Sequence, residues 1–234
     1  MIPLRSSERT YTTPTATIIL IVANTLVFFY ELKLQYMTGY DAGYGTYQLS
    51  RLPFERFVAH YAITPDHFRY VTLLTSMFVH GGWLHIIGNM WFLWIFGKGV
   101  EDLLGHFQYV AFYLVCGCAA GLVHVAFNPY SPVPTIGASG AIASIMGAYL
   151  IKFPRARIVT LVPVFIFLTT FDIPAAFLLI YWFLIQFFSG FGAVGPTNMS
   201  SSNVAFLAHV GGFIAGMLLI LVVPTRKRYP RWGE

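Results

Sequence analysis

The chain has 234 residues, 57% of them hydrophobic and only 10% charged. That charge fraction is well under half the roughly 25% of soluble domains, which excludes an ordinary soluble enzyme and implies an integral membrane protein. The net charge of +5 does not imply nucleic-acid binding, because the basic residues stand beside apolar runs.

Residues 1–14 are polar and include Arg5 and Arg9, so they read as a cytoplasmic N-terminal tail. The apolar run that starts near Thr15 is not followed by a clear small-residue cleavage site, so it reads as a retained span and not a signal peptide. The length leaves room for about six spans of ~20 residues. They are expected at 15–33, 83–100, 107–127, 138–152, 172–190 and 203–223. The expected fold is an all-α integral membrane protein: one compact bundle of six transmembrane helices over 15–223, with an interfacial hairpin loop after the first span and a basic cytoplasmic tail over 224–234.

The segment 34–82 is too long for a plain connector and is rich in aromatics, including Phe54, Phe57, Tyr61, Phe68 and Tyr70. A folded hairpin in the outer interface is expected, since aromatics favour that depth. Residues 158–171 read as an interfacial approach to a fifth span starting near Asp172, with a re-entrant segment as the alternative. The Gly- and Ser-rich stretch 189–202 reads as a mobile loop, with Phe191 and Met199 facing the bilayer. Cys116 and Cys118 lie two apart in one apolar run, on different helical faces, and read as packing residues; no metal or cofactor is expected.

Charge sets the orientation. With the first residues inside, ten Lys and Arg fall inside and four outside (Lys33, Arg51, Arg56 and Arg69). The excess of basic residues on one side predicts both termini cytoplasmic.

Polar residues in apolar spans are functional candidates, because lipid penalises them. Ser139 stands between glycines in Gly137-Ala138-Ser139-Gly140 at the head of the fourth span. His209 lies about two turns into the sixth span, ~9 Å deep from the same side. The two are able to meet at similar depth, which suggests a nucleophile and its general base; a packing serine and a hydrogen-bonded core or ligand-binding histidine are the alternatives. Small residues allow close approach: Gly140 and Gly147 on the fourth span, and Gly212 and Gly216 on the face of His209 in a Gly-x-x-x-Gly pair. At the outer end of the second span stand His80, His85 and Asn89. His85 and Asn89 are four apart, hence on one face, and both are able to donate to an oxyanion. Helix–helix hydrogen bonding is the alternative for that pair.

The Gly137–Gly140 motif, Ala208-His209 with its glycines and the His80/His85/Asn89 set, in this order and on these spans, resemble the rhomboid intramembrane serine proteases. The resemblance covers about residues 72–223, with six spans as in the bacterial members, and so implies a bacterial cell membrane as the location. It implies a Ser139–His209 catalytic dyad without an acidic third member, an oxyanion site made by the Ser139 N–H, His85 and Asn89, and a supporting role for His80 under the hairpin. Two departures stand out. Where the family often carries Trp-Arg, this chain has Val71-Thr72, with Phe68-Arg69 nearby, and the position four after the serine, aromatic in some members, is Ala143.

Other hydrolase classes lack their residues. His-Glu-x-x-His is absent, and Asp172 is the one candidate for an intramembrane aspartate pair. The expected function is serine endopeptidase cleavage of membrane-anchored proteins in or near their transmembrane segments. The alternative is a catalytically silent relative that binds membrane helices. The expected partners are transmembrane-helix substrates and the lipid bilayer, with no nucleic acid; oligomeric state is not readable from sequence. The fifth span, with Tyr181, Trp182, Phe183, Phe187 and Phe188, is the expected substrate gate, packing on the second span near Trp91 and Trp94.

Overall fold

The computed structural model describes residues 1–42, 53–164, 167–192 and 205–226. The fold is mostly helical. Strand β1 (Ile2–Ser6) is followed by α1 (Thr15–Ala42), α2 (Pro53–Tyr61), the short α3 (Thr72–Thr75), α4 (Trp83–Leu104), α5 (His106–Phe127) and α6 (Ser139–Lys152). Strands β2 (Arg157–Val164) and β3 (Phe167–Pro174) come next, then α7 (Ala175–Gly192) and α8 (Ala205–Val222). By length and composition, two helices among the described residues suffice to cross a membrane, at Thr15–Met37 and His106–Phe127; Ser139–Lys152, Ala175–Ser189 and Phe206–Val222 are apolar but shorter. The expected mobile loop lies largely outside the described residues, as does most of the basic tail.

Helix α6 is the axis of the bundle. All its residues from Ala141 to Tyr149 are buried, and it packs most closely on α8. The contact is backbone to backbone: a Cβ on Gly212 would sit 2.1 Å from the carbonyl oxygen of Gly140, and one on Gly216 would sit 2.0 Å from that of Ser144. Gly147 answers from α6, where a Cβ would meet the Phe213 carbonyl oxygen at 2.1 Å. Only glycine permits this approach.

The far end of the bundle, opposite Ser139, is tied by carboxylates. Helices leave their first N–H groups unpaired. Glu101 of α4 accepts the N–H groups of Ala16 and Thr17, both at 2.8 Å, and the Thr17 hydroxyl at 2.6 Å. Asp102 accepts the N–H groups of Tyr11 and Thr12 at 3.0 and 2.8 Å. Negative charge is favourable at a helix N-terminus, so the polar end of α4 holds the start of α1.

The three-stranded antiparallel sheet, ordered β1-β2-β3, corrects the all-α expectation. Residues 158–164 and 167–171 lie in two paired strands, where no strand was expected, and α7 begins at Ala175 while Asp172 lies in β3. The run is rich in Val, Ile, Thr and Phe, which favour a pleated surface. Part of the expected tail is bound into this sheet, with Ile2 opposite Leu161 and Ser6 opposite Ile158. β1 lies against α4, where the Trp91 indole N–H donates to the Pro3 carbonyl at 2.6 Å. Met1 and Pro3 wall an apolar cavity of about 200 Å³ between α4 and α7, with Phe92, Phe96, Leu179 and Trp182 opposite.

Segment 53–78 is folded, as expected of the hairpin, while α1 extends past residue 33 to Ala42. Its task is visible in its contacts. Ile63 pairs with Thr135 through hydrogen bonds of 3.0 and 2.8 Å, and the Gly137 N–H donates to the Ser76 carbonyl at 2.9 Å. The loop that leads into Ser139 is thus held from below by backbone. Arg69 donates to the His60 carbonyl and ties α2 to the turns that follow it.

Candidate active site

Ser139 is the first residue of α6, and the turn before it is forced. Gly137 has φ +118°, a conformation L side chains rarely adopt. A Cβ there would lie 2.6 Å from His85 Nε2. Backbone freedom and the closeness of an imidazole both demand glycine at this position. Ala138 is fully buried, which leaves Ser139 at the mouth of a short, closely packed helix.

Helix α8 brings His209 to it. Ser139 Oγ lies 2.7 Å from His209 Nε2 across 70 residues of sequence. That distance is within hydrogen-bond range for a nucleophile and its base. The glycine contacts of α6 with α8 set it, since one bulky residue at Gly212 or Gly216 would part the helices.

His85 and Asn89 share a face of α4 and converge on the Ser139 turn: from the Cβ position of Gly137, His85 Nε2 is 2.6 Å away and Asn89 Nδ2 is 3.6 Å. The Asn89 amide nitrogen is buried and has no protein partner among the described residues. Buried donors are normally paired, and this one stands beside the turn that leads into Ser139. His80 lies just before α4. Its backbone N–H donates to both carboxylate oxygens of Glu31 at 3.1 Å, and its ring sits edge-on to His85 with centroids 5.1 Å apart. Burial, with His85 alongside, pushes the His80 imidazole down to about 4, so it is neutral near pH 7. It braces α1 against α4 and the neighbouring imidazole.

Two contacts of His209 escaped the sequence reading. His209 Nδ1 lies 2.7 Å from Gln186 Oε1, and Gln186 is buried. The Trp182 ring lies against the imidazole, with centroids 5.8 Å apart and planes at 38°. The signal available was a single amide in the otherwise apolar run 175–188, at the spacing that places it on one face with Trp182. Trp182 and Phe183 also pack on Phe213 of α8, and Trp91 is engaged with Pro3. The expected packing of α7 aromatics on Trp91 and Trp94 is therefore not the arrangement of Trp182. The two cysteines are free thiols, Cys116 buried and Cys118 partly so.

A small cavity, about 30 Å³, adjoins Ser139, bordered by Ser76, His124, Thr135 and Gly137. The arrangement therefore offers a hydroxyl with a base on it, two side-chain donors converging beside it, and a largely apolar recess with room for a water molecule. No group of three or more metal-ligating side chains comes together among the described residues.

Comparison with known proteins places these residues in one family unit. The Rhomboid domain family model matches residues 67–226, which include His80, His85, Asn89, Ser139, Gln186 and His209. The mouse (Mus musculus) presenilin-associated rhomboid-like protein, mitochondrial, is 37% identical over 100 residues, 41% of this chain and 26% of that protein. RHOMBOID-like protein 5 of Arabidopsis thaliana is 28% identical over 157 residues, 67% of this chain and 45% of that protein. Rhomboid-like protein 11, chloroplastic, of the same plant is 42% identical over 69 residues, 30% of this chain and 24% of that protein. The matched regions thus span from about a quarter to under half the length of these curated relatives.

Proposed function

The chain belongs to the membrane-embedded rhomboid family, and from that premise we propose that it is an intramembrane serine endopeptidase that cleaves membrane-anchored proteins in or near their transmembrane segments. The observation that carries the reading is the 2.7 Å approach of Ser139 Oγ to His209 Nε2.

In this reading His209 Nε2 takes the Ser139 proton as the hydroxyl oxygen attacks the scissile carbonyl carbon. The negative charge moves to the former carbonyl oxygen, where the Ser139 N–H, His85 and Asn89 receive it. The unpartnered Asn89 amide supports that role. Each such donor contributes about 10²–10³ in rate. His209 then returns the proton to the leaving amine, giving an acyl-enzyme, and a water activated by the same imidazole hydrolyses it.

The proposed spans are α1, α4, α5, α6, α7 and α8. Helix α6 has 14 residues, ~21 Å at 1.5 Å per residue, less than the ~30 Å hydrocarbon core. Ser139 at its head therefore lies below the membrane surface. Arg5, Lys152, Arg155, Arg157 and Arg226 belong to segments at the opposite end, which supports a cytoplasmic assignment for that end and extracytoplasmic access for the dyad. The expected bacterial cell membrane has only the six-span pattern behind it; two of the relatives compared are mitochondrial or chloroplastic by name. The silent-relative reading has no feature here in its favour, since both members of the dyad are present and within hydrogen-bond distance.

The test is a fluorophosphonate probe and a transmembrane substrate presented to the reconstituted protein. Wild type is labelled and cleaves, and folded Ser139→Ala and His209→Ala do neither. Cleavage by folded Ser139→Ala overturns the proposal.

A further inference from the structure

We infer that Gln186 of α7 is the positioning residue of the dyad: its amide oxygen fixes the tautomer and the orientation of His209, and so makes catalysis depend on the seat of α7 against α8. The inference rests on the serine-protease reading and adds a member to that site.

The dyad by itself leaves the imidazole undetermined. A neutral ring carries one proton, on either nitrogen, and only a bare Nε2 is able to accept from Ser139. Gln186 Oε1 is an acceptor 2.7 Å from Nδ1, so the proton is held on Nδ1 and Nε2 is left as the acceptor. A hydrogen bond at one ring nitrogen sets which nitrogen does the chemistry at the other. Gln186 is itself buried, where an amide oxygen finds no competing water donor, so the contact is a stable support.

Orientation has a second source on the same helix. Trp182 precedes Gln186 by four residues, which puts both on one face. Its ring covers the imidazole at 5.8 Å while Gln186 holds its edge. Helix α6 supplies nothing comparable, because the residue one turn beyond Ser139 is Ala143 and carries only a methyl group. The support for His209 thus comes from α7 instead of from the helix that bears the nucleophile. Helix α7 also walls the apolar cavity toward α4 through Leu179, Trp182 and Ile185. Any displacement that widens this side of the bundle pulls the amide from Nδ1, so the dyad is competent only while α7 is seated.

The groups that face His209 are Ser139 from α6 and Gln186 and Trp182 from α7. Beside the Ser139 turn stand two further titratable groups, His85 of α4 at Gly137 and His124 of α5 on the border of the cavity at Ser139. The test compares Gln186→Leu and Gln186→Glu with wild type, using kcat and KM for a transmembrane substrate, pH–rate profiles and thermal melting. Gln186→Leu keeps volume and loses the acceptor; kcat falls about 10²-fold, the loss expected of a misaligned base, with KM within a few-fold. Gln186→Glu keeps the acceptor and adds a charge that favours imidazolium. It holds kcat within about tenfold at its optimum and moves the acid limb of the profile up by about one pH unit. Unchanged kcat in Gln186→Leu overturns the inference, as does a Gln186→Glu profile whose acid limb stays in place. A loss of melting temperature that accounts for the activity of both variants alike reduces Gln186 to a packing residue and also overturns it. Failure of wild type to cleave or to be labelled at Ser139 defeats the serine-protease reading instead, so the two failures are distinguishable.

Discussion

Replacing Gly216 with alanine tests whether helix packing, at a distance from the chemistry, sets the dyad. Gly216 lies seven residues beyond His209, ~10 Å along α8, and touches neither reacting side chain. A Cβ there would stand 2.0 Å from the Ser144 carbonyl oxygen and 2.5 Å from its carbon. Both atoms are backbone, so no rotamer change relieves the clash. Reaching ordinary contact requires α8 to part from α6 by about 1.4 Å at that level. If half to all of that displacement reaches His209, the Ser139–His209 separation grows from 2.7 Å to about 3.4–4.1 Å, beyond the ~3.2 Å reach of a general base. The expected result is a fall in kcat of about 10²-fold, with a destabilisation of about 1–3 kcal/mol from overpacking. The assay is cleavage of a transmembrane substrate in liposomes, paired with thermal melting in detergent. Gly88→Ala is the control, since nothing lies within 4 Å of a Cβ at that position on α4, and it should leave rate and melting unchanged. A folded Gly216→Ala protein with wild-type turnover would refute the argument that glycine contact fixes the dyad distance.

Asn89→Ala removes the unpartnered amide nitrogen and should lower kcat by about 10–10³-fold with KM nearly unchanged; a change in KM alone would make Asn89 a binding or packing residue. Trp91→Phe removes the donor to Pro3 while keeping an aromatic ring. It should cost about 0.5–1.5 kcal/mol and speed amide hydrogen exchange over residues 2–6, whereas unchanged exchange would mean that the sheet alone holds β1. Acid should weaken the fold through His80, whose imidazole is held down to about 4 by burial and by His85. The unfolded chain takes up that proton below pH 6.5 and the folded chain only near pH 4, so stability is full above 6.5 and declines as pH falls through that window. Between pH 7.5 and 5, wild type should lose more melting temperature than His80→Gln; equal losses in the two would show that His80 is not the titrating group.

What the sequence determined is what hydropathy and spacing carry. Long apolar runs announce helices because each helix satisfies its own backbone, and five of the six expected spans match helices to within about four residues at each end. The approach of Ser139 and His209 was legible because serine and histidine are costly in apolar segments, and their distances from the span ends put them at one depth. The glycine face of α8 was legible for a similar reason, since only close backbone approach calls for Gly212 and Gly216 together. The sheet was not legible. Strand pairing is non-local, and the partner of Ile158 is Ser6, about 150 residues earlier; a run such as 158–171 looks alike as strand or apolar approach until its neighbour is known. Nor did the sequence reveal what orients His209. A lone Gln186 in an apolar helix has many possible partners, and only the crossing of α7 over α8 decides that its oxygen meets Nδ1 while Trp182 covers the ring. One helix's periodicity states which residues share a face; which neighbouring helix that face meets is a property of the packed bundle.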